Sequence, residues 1–431
     1  MKIRHPHQLP SLVFANSRGE IQEFPELTMA GRSARQFLSP ELADLIPLPE
    51  GSELFVLPKR WPVGIDPDDG QPARLLENPY EPGEGIQAVA AFVSPAHTTI
   101  LTAGFEKQDA SVPPLPLFAY TAVGWHDNQF WVASFRSDPS PRQDRRHFDP
   151  QKITTRTLAA LKRHPGNRLI QHLGQCSLTY SCPAAKNYFQ GREEAPLPTS
   201  PACNAHCVGC ISLQASGCCP STQDRIKFVP TAHEIAEVAV PHLKAVDRGV
   251  VSFGQGCEGE PLLQAATIEQ AIRAIRKQTD RGTINLNSNA SLPEAVARLA
   301  SAGLDSLRVS MNSARPLQHT LYYRPTGFDF NDVRQSIIEM KKRGRFVSLN
   351  YFICPGVTDC EAETEAFCHL VASCQPDFIQ LRNLNMDPDW YLETIEHLPE
   401  ARALGIQSWL RLIKMRFPNL RFGYFNPALR P

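Results

Sequence analysis

No stretch of this sequence is apolar for long enough to cross a bilayer, which takes about 20 consecutive apolar residues. Lys2 and Arg4 near the N-terminus have no apolar run behind them, so a cleaved secretory signal is not expected. A surplus of either charge is also missing, since 44 Lys plus Arg balance 44 Asp plus Glu. Without a basic excess the simplest means of neutralising phosphates is lost, so nucleic acid is not indicated as a partner. These absences describe a chain expected in the cytoplasm, with no membrane partner, where thiols stay reduced. What the sequence does have is 12 cysteines. In a reducing compartment cysteines point to metal before disulfide, with several expected to be plain buried side chains.

The 431 residues are enough for two domains, or for one barrel with a large extension. Residues 1–165 are rich in Pro and alternate short apolar runs with turns. Leu54–Leu57, Ile86–Val93 and Phe130–Phe135 read as strands, and the segment is expected to be a β-rich domain of unknown role. A short helix is expected over 153–164. Residues 166–202 form a linker that contains Cys176 and Cys182. From 203 to 385 the pattern changes to alternating helices and short β-branched runs. Helices are expected to start near 232, 261, 293, 330 and 360. Strands are expected at 249–254, 283–287, 305–310, 346–353 and 377–381, with one more before Cys203. Repeated β–α order implies a parallel sheet, so the fold class is α/β, a partial barrel of six βα units behind the β-rich domain. Such barrels carry their chemistry at the C-terminal strand ends. Residues 386–431 hold a helix over 400–416 and a tail.

The densest chemistry lies at Cys203-Asn204-Ala205-His206-Cys207-Val208-Gly209-Cys210, a C-x3-C-x2-C spacing. Three thiolates this close can hold a [4Fe–4S] cube and leave one iron open to a small ligand. Zinc is an alternative, with His206 completing a Cys₃His set, although His206 directly precedes a ligand. Unligated packing is another, and a cluster that only carries electrons is a third. No fourth thiolate is evident within the loop.

Three strand-end elements and the later turn Tyr323-Arg324-Pro325-Thr326-Gly327 bear on the choice. Gly254-Gln255-Gly256-Cys257-Glu258-Gly259-Glu260-Pro261 follows the second strand, Asn287-Ser288-Asn289-Ala290 the third and Arg308-Val309-Ser310-Met311-Asn312-Ser313 the fourth. Together with the cysteines these make region 203–385 resemble the radical S-adenosylmethionine (SAM) superfamily. The strand-end elements are similar to the family's Gly-Gly-Glu-Pro, Thr-Asn-Gly and Ser-Leu-Asp elements. The resemblance implies an enzyme with a [4Fe–4S] cluster on Cys203, Cys207 and Cys210, and SAM on the open iron. It implies SAM contacts from Gly259, Glu260, Ser288, Asn289, Ser310, Asn312 and Arg324, with Glu260 on the amino group. Reductive cleavage of SAM to a 5′-deoxyadenosyl radical is the implied reaction. An electron donor such as flavodoxin or ferredoxin is implied as well. Two positions depart from the family. Glu258 stands where the first glycine is usual. Gly209 stands where an aromatic usually lies near adenine, leaving Val208 or Phe253 for that place.

Other cysteines admit further roles. Cys176 and Cys182 with Cys218 and Cys219 can supply four thiolates to an auxiliary iron–sulfur cluster, though neighbouring side chains such as Cys218 and Cys219 diverge. Cys257 and Cys354 are candidate catalytic thiols at strand ends, set against the reading of each as a packed bystander. Arg382, Asn383, Asn385, Asp387, Asp389, Trp390 and Tyr391 are expected either to rim a substrate mouth or to form a solvated loop. The substrate itself, whether peptide, nucleoside or small metabolite, is not written in the motifs. The competing functions are a zinc-binding interaction protein, and an electron-transfer protein that would want a fourth ligand.

Overall fold

The computed structural model describes residues 9–214, 219, 221–398 and 402–431. The chain divides into two compact units. The first comprises 1–139, 352–365 and 381–416, and the second comprises 140–351, 366–380 and 417–431. No helix among the described residues is long and apolar enough to cross a membrane.

In the first unit, alternation of side chains in a strand decides the layering. Strand Gln87–Phe92 pairs antiparallel with Glu53–Leu57 and with Ser11–Ala15. Successive side chains point to opposite faces. Val89 and Ala91 accordingly join a core with Val13, Ala15, Val123 and Val132. Ala88 and Ala90 join a different one with Leu57, Phe105, Leu115 and Tyr120. Both faces of the strand are therefore buried, which explains its unbroken apolar run. The strands expected near 54–57, 86–93 and 130–135 appear as Glu53–Leu57, Gln87–Phe92 and Gln129–Arg136.

Polar residues expected at the sixth strand end are engaged within this unit. Asp387 is fully buried and accepts from Arg60 Nη2 at 2.8 Å and from the Leu115 backbone N–H at 2.9 Å. Asp389 pairs with Arg32. Asn383 donates to the His97 carbonyl at 3.0 Å and accepts from Thr99 N–H at 2.9 Å. Asn383, Asp387 and Asp389 thus hold the unit together. Cys354 is buried in the same unit, and burial pushes its thiol well above the ordinary range.

The second unit opens with three helices, α1 (Pro150–Arg163), α2 (Arg168–Leu178) and α3 (Pro183–Gln190). The stretch expected to be a linker therefore holds α2 and α3. A parallel sheet follows, made of β1 (Glu194–Pro196), β2 (Val250–Phe253), β3 (Thr283–Ser288), β4 (Ser306–Met311), β5 (Phe346–Ile353), β6 (Phe378–Asn383) and β7 (Arg421–Gly423). Its spatial order is the chain order, β1 to β7, with β1 and β7 as the edges. Parallel neighbours need crossovers, and these carry α4 (Ala232–Ala245), α5 (Ala265–Arg276), α6 (Pro293–Ala302), α7 (Pro316–Tyr323), α8 (Phe330–Lys342) and α9 (Glu361–Cys374). α10 (Pro388–Thr394) and α11 (Ile406–Arg416) follow β6 in the chain and belong to the first unit. Six strands were expected and seven are present. The extra one, Arg421-Phe422-Gly423, is only three residues long and has no apolar run of its own; it pairs with β6 from Phe378↔Arg421 to Gln380↔Gly423. α7 was not expected either, because Pro316-Leu317-Gln318-His319 shows no amphipathic repeat.

Local chemistry sets the helix starts. α4 begins with a capping box, in which Thr231 Oγ accepts from Glu234 N–H at 3.2 Å and Glu234 accepts from Thr231 N–H at 2.8 Å. β3 has the polar sequence TINLNS yet is fully buried, because its polar side chains bond to neighbouring strands. Asn285 donates to Ser252 Oγ at 3.0 Å and accepts from Ser306 Oγ at 2.7 Å.

Candidate active site

The C-terminal ends of β2, β3 and β4 and the loop carrying Cys203, Cys207 and Cys210 surround one cavity of about 220 Å³. Its wall includes those three cysteines, the Gly254–Pro261 loop except Cys257, and Ser288, Asn289 and Ser310. A larger cavity of about 390 Å³ lies among α1, α3 and α4, around Arg163, Tyr188 and His242, but no thiol lines it.

Backbone bonds place the cysteine loop. His206 N–H donates to the Tyr323 carbonyl at 2.9 Å and Val208 N–H to the Tyr322 carbonyl at 3.0 Å. On the other side, Gly259 N–H donates to the Ser200 carbonyl at 2.7 Å and Glu260 N–H to the Ala202 carbonyl at 2.8 Å. Only glycine fits at 259, because a Cβ there would sit 2.0 Å from the Ala202 oxygen. Burial raises the Cys203 thiol and holds Cys207 well above its ordinary value. Arg225 Nη2 lies 3.5 Å from Cys210 Sγ and its Nε donates to Ser212 at 3.1 Å.

The two glutamates of the following loop do different things. Glu258 is buried and accepts four backbone N–H bonds: Gly254 and Gln255 at 2.7 Å, Thr199 at 2.8 Å and Ser200 at 2.9 Å. It ties the loop to the segment just before the cysteines, which accounts for a carboxylate where the family has glycine. Burial pushes its carboxyl up to about 7 against these four donors. Glu260 accepts from Ser288 Oγ at 2.6 Å, Asn289 N–H at 2.8 Å and Leu262 N–H at 3.0 Å. Burial raises it to about 7 as well. A carboxylate offers about four acceptor positions. Three are filled, so one remains for a donor in the cavity.

The remaining expected residues divide. Asn289 lines the cavity and also donates to Asn204 Oδ1 at 2.9 Å, linking β3's end to the cysteine loop. Ser310 faces the cavity from β4. Asn312 does not line it, and donates to the Gln318 carbonyl at 3.1 Å. Arg324 is exposed at the left-handed C-terminal residue of α7 (φ 46°) and is likewise outside the wall. Arg308 and Arg225 supply cations to the wall instead. Arg308 was legible, because it sits two residues before Ser310 and so on the same strand face. Arg225 has no sequence signal. Val208 and Phe253 are buried and do not line the cavity, whereas Tyr323 does.

Cys257 turns away from the cavity and joins Cys176, with Cys182 packed against the pair. The hydrogen bond from Cys257 brings the Cys176 thiol down to about 5, while the same bond and burial hold Cys257 well above its ordinary value. Cys219 is buried but is not part of this group, and Cys218 lies outside the described residues.

Comparison with known proteins follows the same lines. Residues 197–368 match the model of the radical SAM superfamily. No curated protein matches the chain in sequence. Among solved structures, the chain is similar to the FeFe-hydrogenase maturase HydG from Carboxydothermus hydrogenoformans (13% identity, 63% of this chain and 70% of that one, TM-score 0.37). It is similar to a radical SAM methyltransferase from Sphaerobacter thermophilus (15% identity, 55% and 67%, TM-score 0.36). It is also similar to Streptococcus suis SuiB bound to S-adenosylmethionine (12% identity, 74% and 72%, TM-score 0.38). Likeness this distant says nothing of this chain's own substrate.

Proposed function

We propose that this chain, which carries a radical SAM domain over residues 197–368, is an enzyme that holds a [4Fe–4S] cluster on Cys203, Cys207 and Cys210 and cleaves SAM reductively. The observation that carries the reading is the shared cavity, where three thiols face Glu260 and the ends of β3 and β4. The donor set fits the group. Thiolates are the usual ligands of such clusters, and three of them leave one iron for the amino and carboxylate groups of SAM. The spare acceptor position on Glu260 suits the amino group. The chemistry such a pair supplies when bound is one-electron cleavage of SAM to methionine and a 5′-deoxyadenosyl radical, which takes a hydrogen atom from substrate.

The chain's residues do the holding and orienting. Glu260 accepts from the amino group and is itself fixed by Ser288, Asn289 and Leu262. Arg225 and Arg308 offset negative charge in the cavity, the first beside Cys210. Tyr323 offers the ring that Gly209 lacks. Ser310 and Asn289 supply polar contacts to the rest of SAM. Asn312 and Arg324 drop out of that role for want of a place on the wall. An electron donor of the flavodoxin or ferredoxin kind feeds the cluster, and the substrate is a peptide, a nucleoside or a small metabolite.

The test uses full-length protein purified without oxygen and reconstituted with iron and sulfide. After reduction and addition of SAM, 5′-deoxyadenosine is measured by mass spectrometry beside a Cys207→Ala variant. Deoxyadenosine from wild type alone is the expected result. No cleavage by wild type after reconstitution, with zinc that is bound in wild type and lost in Cys207→Ala, would overturn the reading.

A further inference from the structure

The thiols outside the SAM cavity are gathered, not scattered. α2 carries His172 and Cys176 one turn apart, a spacing that puts both side chains on one helix face. His172 Nε2 lies 3.6 Å from Cys176 Sγ. Cys257 reaches the same point from the loop after β2. One ligand atom from each of these three residues lies within 4.8 Å of the other two. Cys176 and Cys257 are buried and His172 is half-buried. Cys182, at the start of α3, packs against the pair. Its backbone N–H is held to the Cys176 carbonyl at 3.0 Å.

We propose that His172, Cys176 and Cys257, whose ligand atoms are already gathered, form a second metal site for a single tetrahedral ion of the zinc type, and that the neighbouring Cys182 turns toward the ion to complete its four ligands. Zinc binds sulfur at about 2.3 Å and imidazole nitrogen at about 2.0–2.1 Å, so the edges of such a tetrahedron are about 3.5–3.8 Å long. The His172–Cys176 edge of 3.6 Å already has that length. A cuboidal cluster would place each ligand on a separate iron and needs its donors spread wider than this. The set also differs from the auxiliary cluster expected from sequence, since Cys257 and His172 enter it and Cys219 does not. Packed thiols alone give no reason for an imidazole nitrogen to meet two of them.

The ion's role follows from what it joins. Cys257 lies between Gly256 and Glu258 in the loop that lines the SAM cavity, while His172 and Cys176 belong to α2. One ion would lock that loop to α2 and to the start of α3. The inference stands independently of SAM chemistry.

Metal content of full-length protein, purified without oxygen, is the test. In Cys207→Ala, which removes a ligand of the SAM cluster, about one zinc per chain should remain. Cys257→Ala and His172→Ala should each weaken binding of added cobalt(II) by about 100-fold or more, since even partners outside the ligand set are worth about 10–100-fold. The wild-type cobalt protein should show sulfur-to-cobalt charge transfer and the intense d–d bands of a tetrahedral ion. Melting of metal-free His172→Ala equal to that of metal-free wild type, with only wild type gaining stability on addition of cobalt(II), separates ligand loss from misfolding. Absence of metal from Cys207→Ala, or undiminished cobalt binding by Cys257→Ala, overturns the proposal. Iron and sulfide persisting together in Cys207→Ala would assign a cluster and also overturn it, as would a Cys176–Cys257 disulfide in metal-free protein.

Discussion

Replacing Glu260 by Gln removes one charge and one acceptor while keeping size. In the wild type, one carboxylate oxygen takes Ser288 and Leu262 and the other takes Asn289 N–H. An amide cannot serve both sides. Whichever way it turns, its NH₂ group faces a backbone N–H, either Asn289 or Leu262. An unsatisfied buried donor costs about 1–3 kcal/mol, so the variant should melt lower than wild type by that amount. The bond from the SAM amino group falls from about 1.5–3 kcal/mol to the about 0.5–1.5 kcal/mol of an uncharged acceptor, a loss of about 1–1.5 kcal/mol or roughly a 5- to 13-fold fall in affinity. The thiols are untouched, and the Glu260 N–H to Ala202 bond is backbone and survives. Iron content should therefore stay at the wild-type level. The assay is equilibrium titration of SAM into anaerobically reconstituted protein, with iron and sulfide measured on the same samples. Wild-type affinity in the variant would refute the reasoning. So would a loss of iron in step with SAM binding, because Glu260 would then be holding the cysteine loop and not the ligand.

Three more expectations follow from named contacts. Glu258→Gly restores the family's usual residue but strands four backbone N–H groups, which at about 1–3 kcal/mol each is about 4–12 kcal/mol in denaturant unfolding where water does not reach them. Arg225→Gln removes a cation beside Cys210 and should lower the cluster's reduction potential. A change of about 1–3 kcal/mol corresponds to about 40–130 mV for one electron, read by potentiometric titration. Glu234 is held down to about 2 by its hydrogen bond from Arg168, against an ordinary value of 4.5. A depressed carboxyl contributes stability that is present above 4.5 and fades as pH falls toward 2. Arg168 is half exposed, so the contribution is discounted to about 1–2 kcal/mol. Glu234→Gln should lose that amount at neutral pH and show a flatter stability profile between pH 5 and 2.

What could be read from the sequence was local. Cys203, Cys207 and Cys210 lie within eight positions, so their spacing marks them, and Gly259 and Glu260 stand out through the family resemblance; all five line one cavity. The expected strands and most helices are local in the same sense. For Asn312 a strand-end motif does not reveal that its amide donates to the Gln318 carbonyl, away from the cavity wall. For Arg324 the sequence does not reveal the left-handed cap that ends α7, where the residue is exposed and outside the cavity wall. Glu258 looked like an odd residue in a ligand loop. Its partners Thr199 and Ser200 lie 59 and 58 positions away, beyond any local pattern. Arg225, His172 and the three-residue strand β7 were hidden for the same reason, since only tertiary pairing gives them meaning.

The clasp between residues 200–202 and 259–260 also bears on how the protein is made. The cysteines leave the ribosome well before the loop that positions them, since Ser200 and its partner Glu258 are 58 positions apart. Until β2 and that loop arrive, nothing on the far side fixes Cys203. On the proposed reading, loading of iron would follow assembly of this part of the sheet, and a nascent chain halted before residue 250 would present its three thiols without that clasp.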